Sequence, residues 1–336
     1  MIRGREVRLR RRPVGMPVPE DFSIVEAEIE DPGPGEVVVR NLFLSVDPYM
    51  RGRMSDQKSY APPYEVGKVM SGGAVGRVVA SRDDQFAEGD LVVSAFGWRE
   101  AFCAPGDRVR AIGEMVASPS AYLGVLGMPG MTAYVGLFEI AELKDGETVL
   151  VSGAAGAVGS VAGQIARLKG CRVLGSAGGS DKVRHLTDEL GFDFAFDYRE
   201  GKLSDHLREG APDGLDVYFD NVGGKLLEAA IGQMRVFGRI ALCGSISRYN
   251  DTELTPGPAN LSRAVGWCLT LRGFLVSRYE HVRERFLADM SEWVRTGRIA
   301  VRETIVEGIE SAPEAFIGLF TGANLGKMVV KVDDAE

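Results

Sequence analysis

The chain has 336 residues, 45% of them hydrophobic, and a formal net charge of −8 at pH 7, so it can bury a large core and is long enough for two domains. That acidity, with a pI near 5.2, argues against non-specific nucleic-acid binding, which needs a basic face. No apolar run approaches bilayer-spanning length, no h-region follows the arginine-rich start, and Cys103, Cys171, Cys243 and Cys268 lack paired spacing, so the expectation is a soluble, unprocessed cytoplasmic protein without a disulfide framework or CxxC metal site.

Taken in order, residues 3–12 carry six arginines interleaved with Val7 and Leu9, which reads as an edge strand with a solvated charged face rather than a polyanion site. Up to residue 124 short β-branched runs alternate with turns: 36–46 after Pro32-Gly33-Pro34-Gly35, then 73–80 and 90–96. This spacing predicts an all-β domain, a distorted barrel. Between 122 and 139 apolar residues are nearly continuous with Pro129-Gly130 inside, which predicts two buried helical pieces broken at that dipeptide.

From 148 to 274 strands and helical patterns alternate, with strands expected at 148–152, 172–176, 192–196, 217–221, 239–243 and 270–276. That is the order of a doubly wound parallel sheet. The tail changes style again: an amphipathic helix at 279–296, a strand at 304–307, a short helix at 313–321 and a last strand at 327–332. It is expected to rejoin the N-terminal domain. The expected division is therefore 1–124 with 297–336 as one domain and 125–296 as a cofactor domain inserted in it.

Within the first βα unit lies Ser152-Gly153-Ala154-Ala155-Gly156-Ala157-Val158-Gly159-Ser160. Its glycines permit a sharp turn and a close approach to a pyrophosphate at the helix N-terminus, although close helix packing alone can also demand glycine. An acid normally holds the NAD ribose at the end of the second strand, about 20 residues after the glycine turn. Here the sequence runs Leu174-Gly175-Ser176-Ala177-Gly178-Gly179-Ser180, with no acid before Asp181 and Lys182 just beyond. The missing repulsion and the added cation favour NADP(H); the other reading of Lys182 is a solvated first-turn lysine.

The only histidines, His185, His206 and His281, lie outside the N-terminal β domain, which offers Cys103 alone among softer ligands. Catalytic zinc, which needs three protein ligands, is not expected, and no serine sits in a GxSxG elbow. Two tyrosines remain as hydrogen-bond donors to a carbonyl oxygen. Tyr49 lies in Asp47-Pro48-Tyr49-Met50-Arg51-Gly52-Arg53-Met54, the alternative being a turn with solvated arginines; Tyr249 lies in Gly244-Ser245-Ile246-Ser247-Arg248-Tyr249-Asn250, past a strand end where open sheets bind ligands, the alternative being a surface-loop tyrosine.

Five runs together resemble the zinc-free medium-chain dehydrogenase/reductase superfamily, in its prostaglandin/leukotriene reductase and alkenal double-bond reductase branch. They are Val46 to Met54, Met128-Pro129-Gly130-Met131-Thr132-Ala133-Tyr134, Gly153 to Gly170, Tyr218-Phe219-Asp220-Asn221-Val222-Gly223-Gly224, and Asn324-Leu325-Gly326-Lys327-Met328-Val329-Val330. The resemblance implies a Rossmann sheet inserted into a GroES-like β-barrel domain. It places Gly156, Ala157, Val158 and Gly159 along the pyrophosphate of NADP(H), and Lys182 and Tyr198 at the adenosine phosphate. Around the rest of the cofactor it places Asn221, Cys243, Gly244, Ser245, Ile246, Tyr249, Phe274, Leu275, Val276 and Asn324. Cys243 read alone is a buried strand residue. The chain departs from some relatives at Ala264-Val265-Gly266-Trp267-Cys268, which supplies no tyrosine towards the substrate.

The expected activity is NADPH-dependent reduction of the carbon–carbon double bond of a small hydrophobic α,β-unsaturated aldehyde or ketone in a dry cleft between domains, with Tyr249 or Tyr49 as donor and no metal. A zinc-free quinone reductase would share every cofactor feature, and a non-catalytic NADPH-binding protein is the reading from another class. By analogy with related folds the chain is expected to form a homodimer through an edge of the cofactor sheet.

Overall fold

The computed structural model describes residues 2–333, arranged as two compact units. One contains 2–123, 303–324 and 328–333; the other contains 124–302 and 325–327.

In the first unit β1 (Ile2–Leu9) and β2 (Phe22–Ile29) pair antiparallel as a two-stranded sheet. A larger sheet is built on β3 (Glu36–Ser45), β4 (Ala74–Ser81), β5 (Leu91–Ser94), β6 (Ala101–Pro105) and β7 (Val109–Ala111), with the tail strands Glu303–Glu307 and Lys327–Lys331 at one side. β3 is its spine, pairing antiparallel with Lys327–Lys331, β4 and β6, and its register against β4 shifts twice, at Val38/Val39 and Asn41/Phe43. Such bulges bend a strand and let one strand serve two partners in a curved sheet. The core beside it is aromatic: Trp98 stacks on Phe22 at 5.9 Å and meets the Phe316 edge at 6.0 Å, with buried Met50, Met54 and Met70 around them.

The second unit carries β8 (Thr148–Val151), β9 (Arg172–Ala177), β10 (Phe194–Asp197), β11 (Leu215–Asp220), β12 (Met234–Leu242) and β13 (Thr270–Gly273). They are parallel, in the order β10-β9-β8-β11-β12-β13. This is the Rossmann order, whose winding reverses between β8 and β11, the point at which doubly wound sheets bind ligands. β8 is buried throughout, as a central parallel strand must be. The fold is an α/β Rossmann sheet with a GroES-like β domain contributed by both ends of the chain.

Some expected elements are corrected. Pro129-Gly130 does not separate two helices; it opens the helix Met128–Val135, which runs on into a π-turn at Gly136–Ile140. Proline is suited to a first helical turn because its missing N–H has no partner there, and a Cβ on Gly130 would sit 1.8 Å from the Val125 carbonyl oxygen. The last sheet strand stops at Gly273, opposite Leu242 where β12 ends, and the expected strand residues Phe274, Leu275 and Val276 leave the sheet. For the same reason Cys243 lies just past β12 rather than in it. The expected helix 279–296 is a short 3-10 turn at Glu280–Val282 followed by the helix Arg283–Arg295.

Candidate active site

β8 feeds the glycine turn, and the helix Gly159–Leu168 leaves it. Gly153 takes a positive φ of 56°, which L-residues with a side chain resist. A Cβ on Gly159 would lie 2.3 Å from the Gly153 carbonyl oxygen and 2.8 Å from Ala154 Cα, so the third glycine lets the helix start pack directly on the turn. The turn is braced by Ala154 N–H donating to Ser176 O at 3.0 Å and by Gly326 N–H donating to Ala155 O at 2.8 Å. Among the described residues the amides of Ala157, Val158 and Gly159 donate to no acceptor of the chain. Three consecutive donors at a helix N-terminus form a seat for a phosphate.

The first acid along the chain after β9, Asp181, is exposed and paired with Arg184 one turn on. Lys182 is half-buried, and desolvation, with the Arg199 charge adding to it, holds its ammonium below the ordinary lysine range. Sequence reasoning missed Arg199. It reaches this corner because β10 lies next to β9, and a Cβ on Gly178 would sit 3.0 Å from its guanidinium carbon. Tyr198 is exposed, with the Arg199 guanidinium 5.5 Å from its ring centre. Asp197 also lies here, its Oδ2 taking the Gly179 amide at 2.8 Å and its Oδ1 the Arg199 amide at 3.0 Å; with that carboxylate turned to backbone amides, the two cations suit a ribose phosphate better than a ribose diol.

At the switch point Ser152 and Asp220 tie the strand ends together. Asp220 Oδ1 accepts from Tyr218 Oη at 2.6 Å, Ser152 Oγ at 3.1 Å, Val222 N at 3.0 Å and Gly223 N at 2.8 Å, while Oδ2 is buried without a partner among the described residues. Asn221 donates its backbone N–H to Ser152 Oγ at 2.8 Å and Nδ2 to Ser152 O at 2.7 Å, which fixes its side chain against the glycine turn. Asp220 O accepts the amides of Cys243 at 2.9 Å and Gly244 at 3.0 Å, so the 243–249 loop hangs from the same residue. Cys243 keeps some exposed surface, yet its thiol is enclosed, and burial beside Asp220 pushes its pKa up to about 12. It is a neutral thiol rather than a nucleophile.

Ile246–Arg248 is a single 3-10 turn, which carries the half-buried Tyr249. Tyr249 Oη accepts the Ser245 amide at 3.4 Å, and a Cβ on Gly244 would lie 3.1 Å from that oxygen. Phe274 packs edge-on against Phe219 at 6.4 Å, and Leu275 and Val276 follow it, all half-buried. Asn324 ends its segment of the first unit, immediately before 325–327 of the second. Gly156 and Gly326 form a parallel bridge, so this part of the tail buttresses the turn.

In the first unit Tyr49 and Arg53 line a cleft of about 330 Å³ together with Ser71, Gly72 and Gly73. Burial first, and the Asp47 charge second, push the Tyr49 phenol far above its ordinary value. It donates at any physiological pH and does not ionise. The two arginines of this motif are not solvated turn residues. Arg51 is buried and donates to Gly15 O at 2.9 Å, pinning the 13–15 loop. Arg53 donates to Pro62 O at 3.0 Å and Ser71 Oγ at 3.1 Å and lies 4.1 Å over the Tyr64 ring. Burial pushes Tyr64 up to about 12, and its hydroxyl donates to Ser71 O at 2.5 Å. Among the described residues no three His, Cys, Asp or Glu side chains gather as metal ligands.

Two family profiles match, one described as the N-terminal domain of oxidoreductase over residues 5–112 and one as zinc-binding dehydrogenase over residues 157–293. NADPH-dependent curcumin reductase of Escherichia coli is 45% identical over 335 residues, 98% of this chain and 97% of that one. The chain belongs to the zinc-free medium-chain dehydrogenase/reductase superfamily. Within that family, prostaglandin reductase 1 of Rattus norvegicus is 44% identical over 336 residues, spanning 98% of this chain and all of that one. The 2-alkenal reductase (NADP(+)-dependent) of Nicotiana tabacum is 42% identical over 337 residues, 98% of each. Among solved structures, CurA of Vibrio vulnificus in complex with NADPH superposes with a TM-score of 0.94 at 43% identity, covering 98% of this chain and 99% of that one.

Proposed function

We propose that this chain is an NADPH-dependent reductase of the carbon–carbon double bond of α,β-unsaturated aldehydes and ketones. The observation that carries the cofactor half is the pairing of the open amides of Ala157, Val158 and Gly159 with Lys182 and Arg199 at the end of β9. A pyrophosphate takes the first set and a ribose phosphate the second. The relatives named as reductases of curcumin, 2-alkenals and prostaglandins support the substrate half, and the solved CurA in complex with NADPH supports the cofactor.

In this reading residues 125–296 bind the cofactor, and 1–124 with 297–336 shape the substrate site. The bound NADPH supplies the hydride. Asn221, Gly244, Ser245 and Ile246, held by Asp220 and Ser152, orient the ring end of the cofactor; Phe274, Leu275, Val276, Cys243 and Asn324 wall it off from water. Tyr249 or Tyr49 donates a hydrogen bond to the substrate carbonyl oxygen as negative charge develops there. A phenol held protonated by burial, like Tyr49, suits that role because it gives a hydrogen bond without surrendering its proton at neutral pH.

The test is NADPH oxidation at 340 nm with a panel of enals and enones beside quinones. Enone turnover well above quinone turnover is expected. Turnover with quinones alone would assign a quinone reductase, and tight NADPH binding without turnover of any electrophile would assign a binding protein.

The proposal includes a homodimer paired through β13. That strand is a sheet edge with Thr270, Arg272 and Gly273 exposed. Phe237, 71% exposed at φ 64°, and Val265, 83% exposed, stand nearby, with Phe237 N–H bonded to Trp267 O. An unpaired edge with exposed apolar residues is the surface a second copy would cover. Light scattering should give twice the 36.2 kDa chain mass; a monomer would remove this part of the reading. Four free thiols suit a reducing cytoplasm, and no helix among the described residues is long and apolar enough to cross a membrane.

A further inference from the structure

We infer that Asp197 is a positioning residue for cofactor choice: its carboxylate staples the turn that carries Lys182 to the turn that carries Arg199, and so favours NADPH although its own charge repels a phosphate. This rests on the NADPH reading and adds to it a residue that decides between NADPH and NADH. Asp197 is the half-buried last residue of β10 and stands in register with Ala177, the last residue of β9. Beyond these ends one chain segment runs into Gly178-Gly179 and the short helix Ser180–Arg184 with Lys182, the other into Tyr198 and Arg199. Each segment gives one backbone amide to the same carboxylate, Gly179 N–H to Oδ2 at 2.8 Å and Arg199 N–H to Oδ1 at 3.0 Å.

Both turns need such a tie. Gly179 sits at φ 96°, one of many conformations open to a glycine, and the Oδ2 contact selects it ahead of Lys182. Arg199 is exposed and its guanidinium lies against Gly178, where a Cβ would come within 3.0 Å, so its place follows from where its backbone is held. The rest of that turn is fixed independently: Tyr198 N–H donates to Ala177 O at 3.2 Å, Glu200 N–H to Asp197 O at 3.1 Å, and His206 Nε2 to Glu200 O at 2.8 Å. Loss of the carboxylate therefore loosens the two cations and leaves the sheet edge standing. Asp181 is taken by Arg184, and among the described residues neither Lys182 nor Arg199 forms an ion pair, which leaves both for the ligand. Charge and position make opposite demands here. By Coulomb's law alone, removing a carboxylate from beside a ribose phosphate tightens its binding. If that carboxylate holds the cations in place, removing it weakens binding, because the ligand must then bear the cost of ordering them.

The experiment measures Kd for NADPH and for NADH by quenching of protein fluorescence, with no electrophile present, in the unaltered protein, Asp197→Ala and Asp197→Asn. In Asp197→Ala, Kd for NADPH should rise about tenfold while Kd for NADH stays within about twofold. Asparagine removes the charge as fully but keeps one oxygen to take an amide, so its loss should be smaller, about threefold. The NADH-to-NADPH ratio is internal to each preparation, so it does not depend on the folded fraction. Unchanged or tighter NADPH binding in Asp197→Ala, or in Asp197→Asn where the alanine variant does not fold, overturns the proposal. Equal weakening of both cofactors overturns it too, as does a loss confined to NADH, which would make Asp197 the acceptor of a ribose diol. Failure of the unaltered protein to bind NADPH overturns the cofactor reading itself, and the staple with it.

Discussion

Tyr218 and Asp220, two residues apart on β11, are joined by a buried hydrogen bond of 2.6 Å from the phenol to Oδ1, the oxygen that also takes Ser152 Oγ and the amides of Val222 and Gly223. Burial first, and the Asp220 charge second, hold the Tyr218 proton on well above its usual pKa. One carboxylate therefore ties the ends of β8 and β11 at the point where the sheet reverses.

Removing that carboxylate leaves several buried donors unanswered, and an orphaned buried donor costs about 1–3 kcal/mol. Asp220→Ala is expected to lower unfolding stability by roughly 3 kcal/mol or more, whereas Tyr218→Phe, which deletes one donor and leaves the others bonded, should cost about 1 kcal/mol. Urea unfolding measures both. Near-equal costs would mean that the backbone and Ser152 contacts to Oδ1 contribute nothing.

Lys182 and Arg199 make a prediction about cofactor choice. A hydrogen bond to a charged group contributes about 1.5–3 kcal/mol, or roughly ten- to a hundredfold in affinity. Lys182→Ala and Arg199→Ala should each raise KM for NADPH by about that factor while leaving KM for NADH within about twofold. The pH dependence has a definite sign. Folding lowers the Lys182 pKa, so its charge opposes folding at low pH, and that penalty is relieved as pH rises through the lowered value towards the ordinary 10.5. Cofactor binding runs the other way. As the ammonium deprotonates, KM for NADPH should climb, starting below the pH at which an ordinary lysine titrates, and Lys182→Arg should flatten the climb.

The difference between Lys182 and Arg199 also marks how far the sequence could be read. Lys182 was legible because it follows the glycine-rich strand end directly; Arg199 was not, because its place depends on β10 settling beside β9, a pairing across the sheet that no local pattern encodes. The same holds for Arg51: its motif read equally well as a turn with solvated arginines, and Arg51 is buried because the 13–15 loop folds over it. The Rossmann strands were legible from their β-branched runs and the alternation with helices, but their ends were less so. β13 stops at Gly273 because β12 has no residue left to pair, although the apolar run continues through Val276. Pro129-Gly130 was misread as a break because proline has two opposite meanings, set by its position in the helix.

The two candidate donors separate by substitution. Tyr49→Phe and Tyr249→Phe each remove one hydroxyl and leave the ring. The donor to the carbonyl oxygen should lose about a hundred- to a thousandfold in kcat with KM for NADPH little changed, as for a lost oxyanion donor; the other tyrosine should lose about tenfold or less. Burial keeps Tyr49 protonated far into the alkaline range. If Tyr49 is the donor, the rate should therefore show no fall up to about pH 9.5 from loss of its proton. A basic limb centred near the ordinary tyrosine pKa that disappears in Tyr49→Phe would contradict the burial argument.

The glycines of the phosphate turn should fail in different ways. A Cβ on Gly159 would meet backbone atoms at 2.3 and 2.8 Å, the Gly153 oxygen and Ala154 Cα, whereas a Cβ on Gly156 would come no nearer than 3.2 Å to the Gly153 oxygen. Backbone cannot swing aside as a flexible side chain can, so Gly159→Ala must push the helix Gly159–Leu168 off the turn. Small-to-large changes of that kind cost about 1–3 kcal/mol, and thermal unfolding should register a drop of a few degrees. Gly156→Ala asks only for a slight give. It should unfold within about a degree or two of the unaltered protein, yet its methyl would narrow the approach of a pyrophosphate to the backbone, raising KM for NADPH by about tenfold or more. Equal melting losses in the two variants, or an unaltered KM in Gly156→Ala, would mean that Gly156 serves helix packing rather than the cofactor.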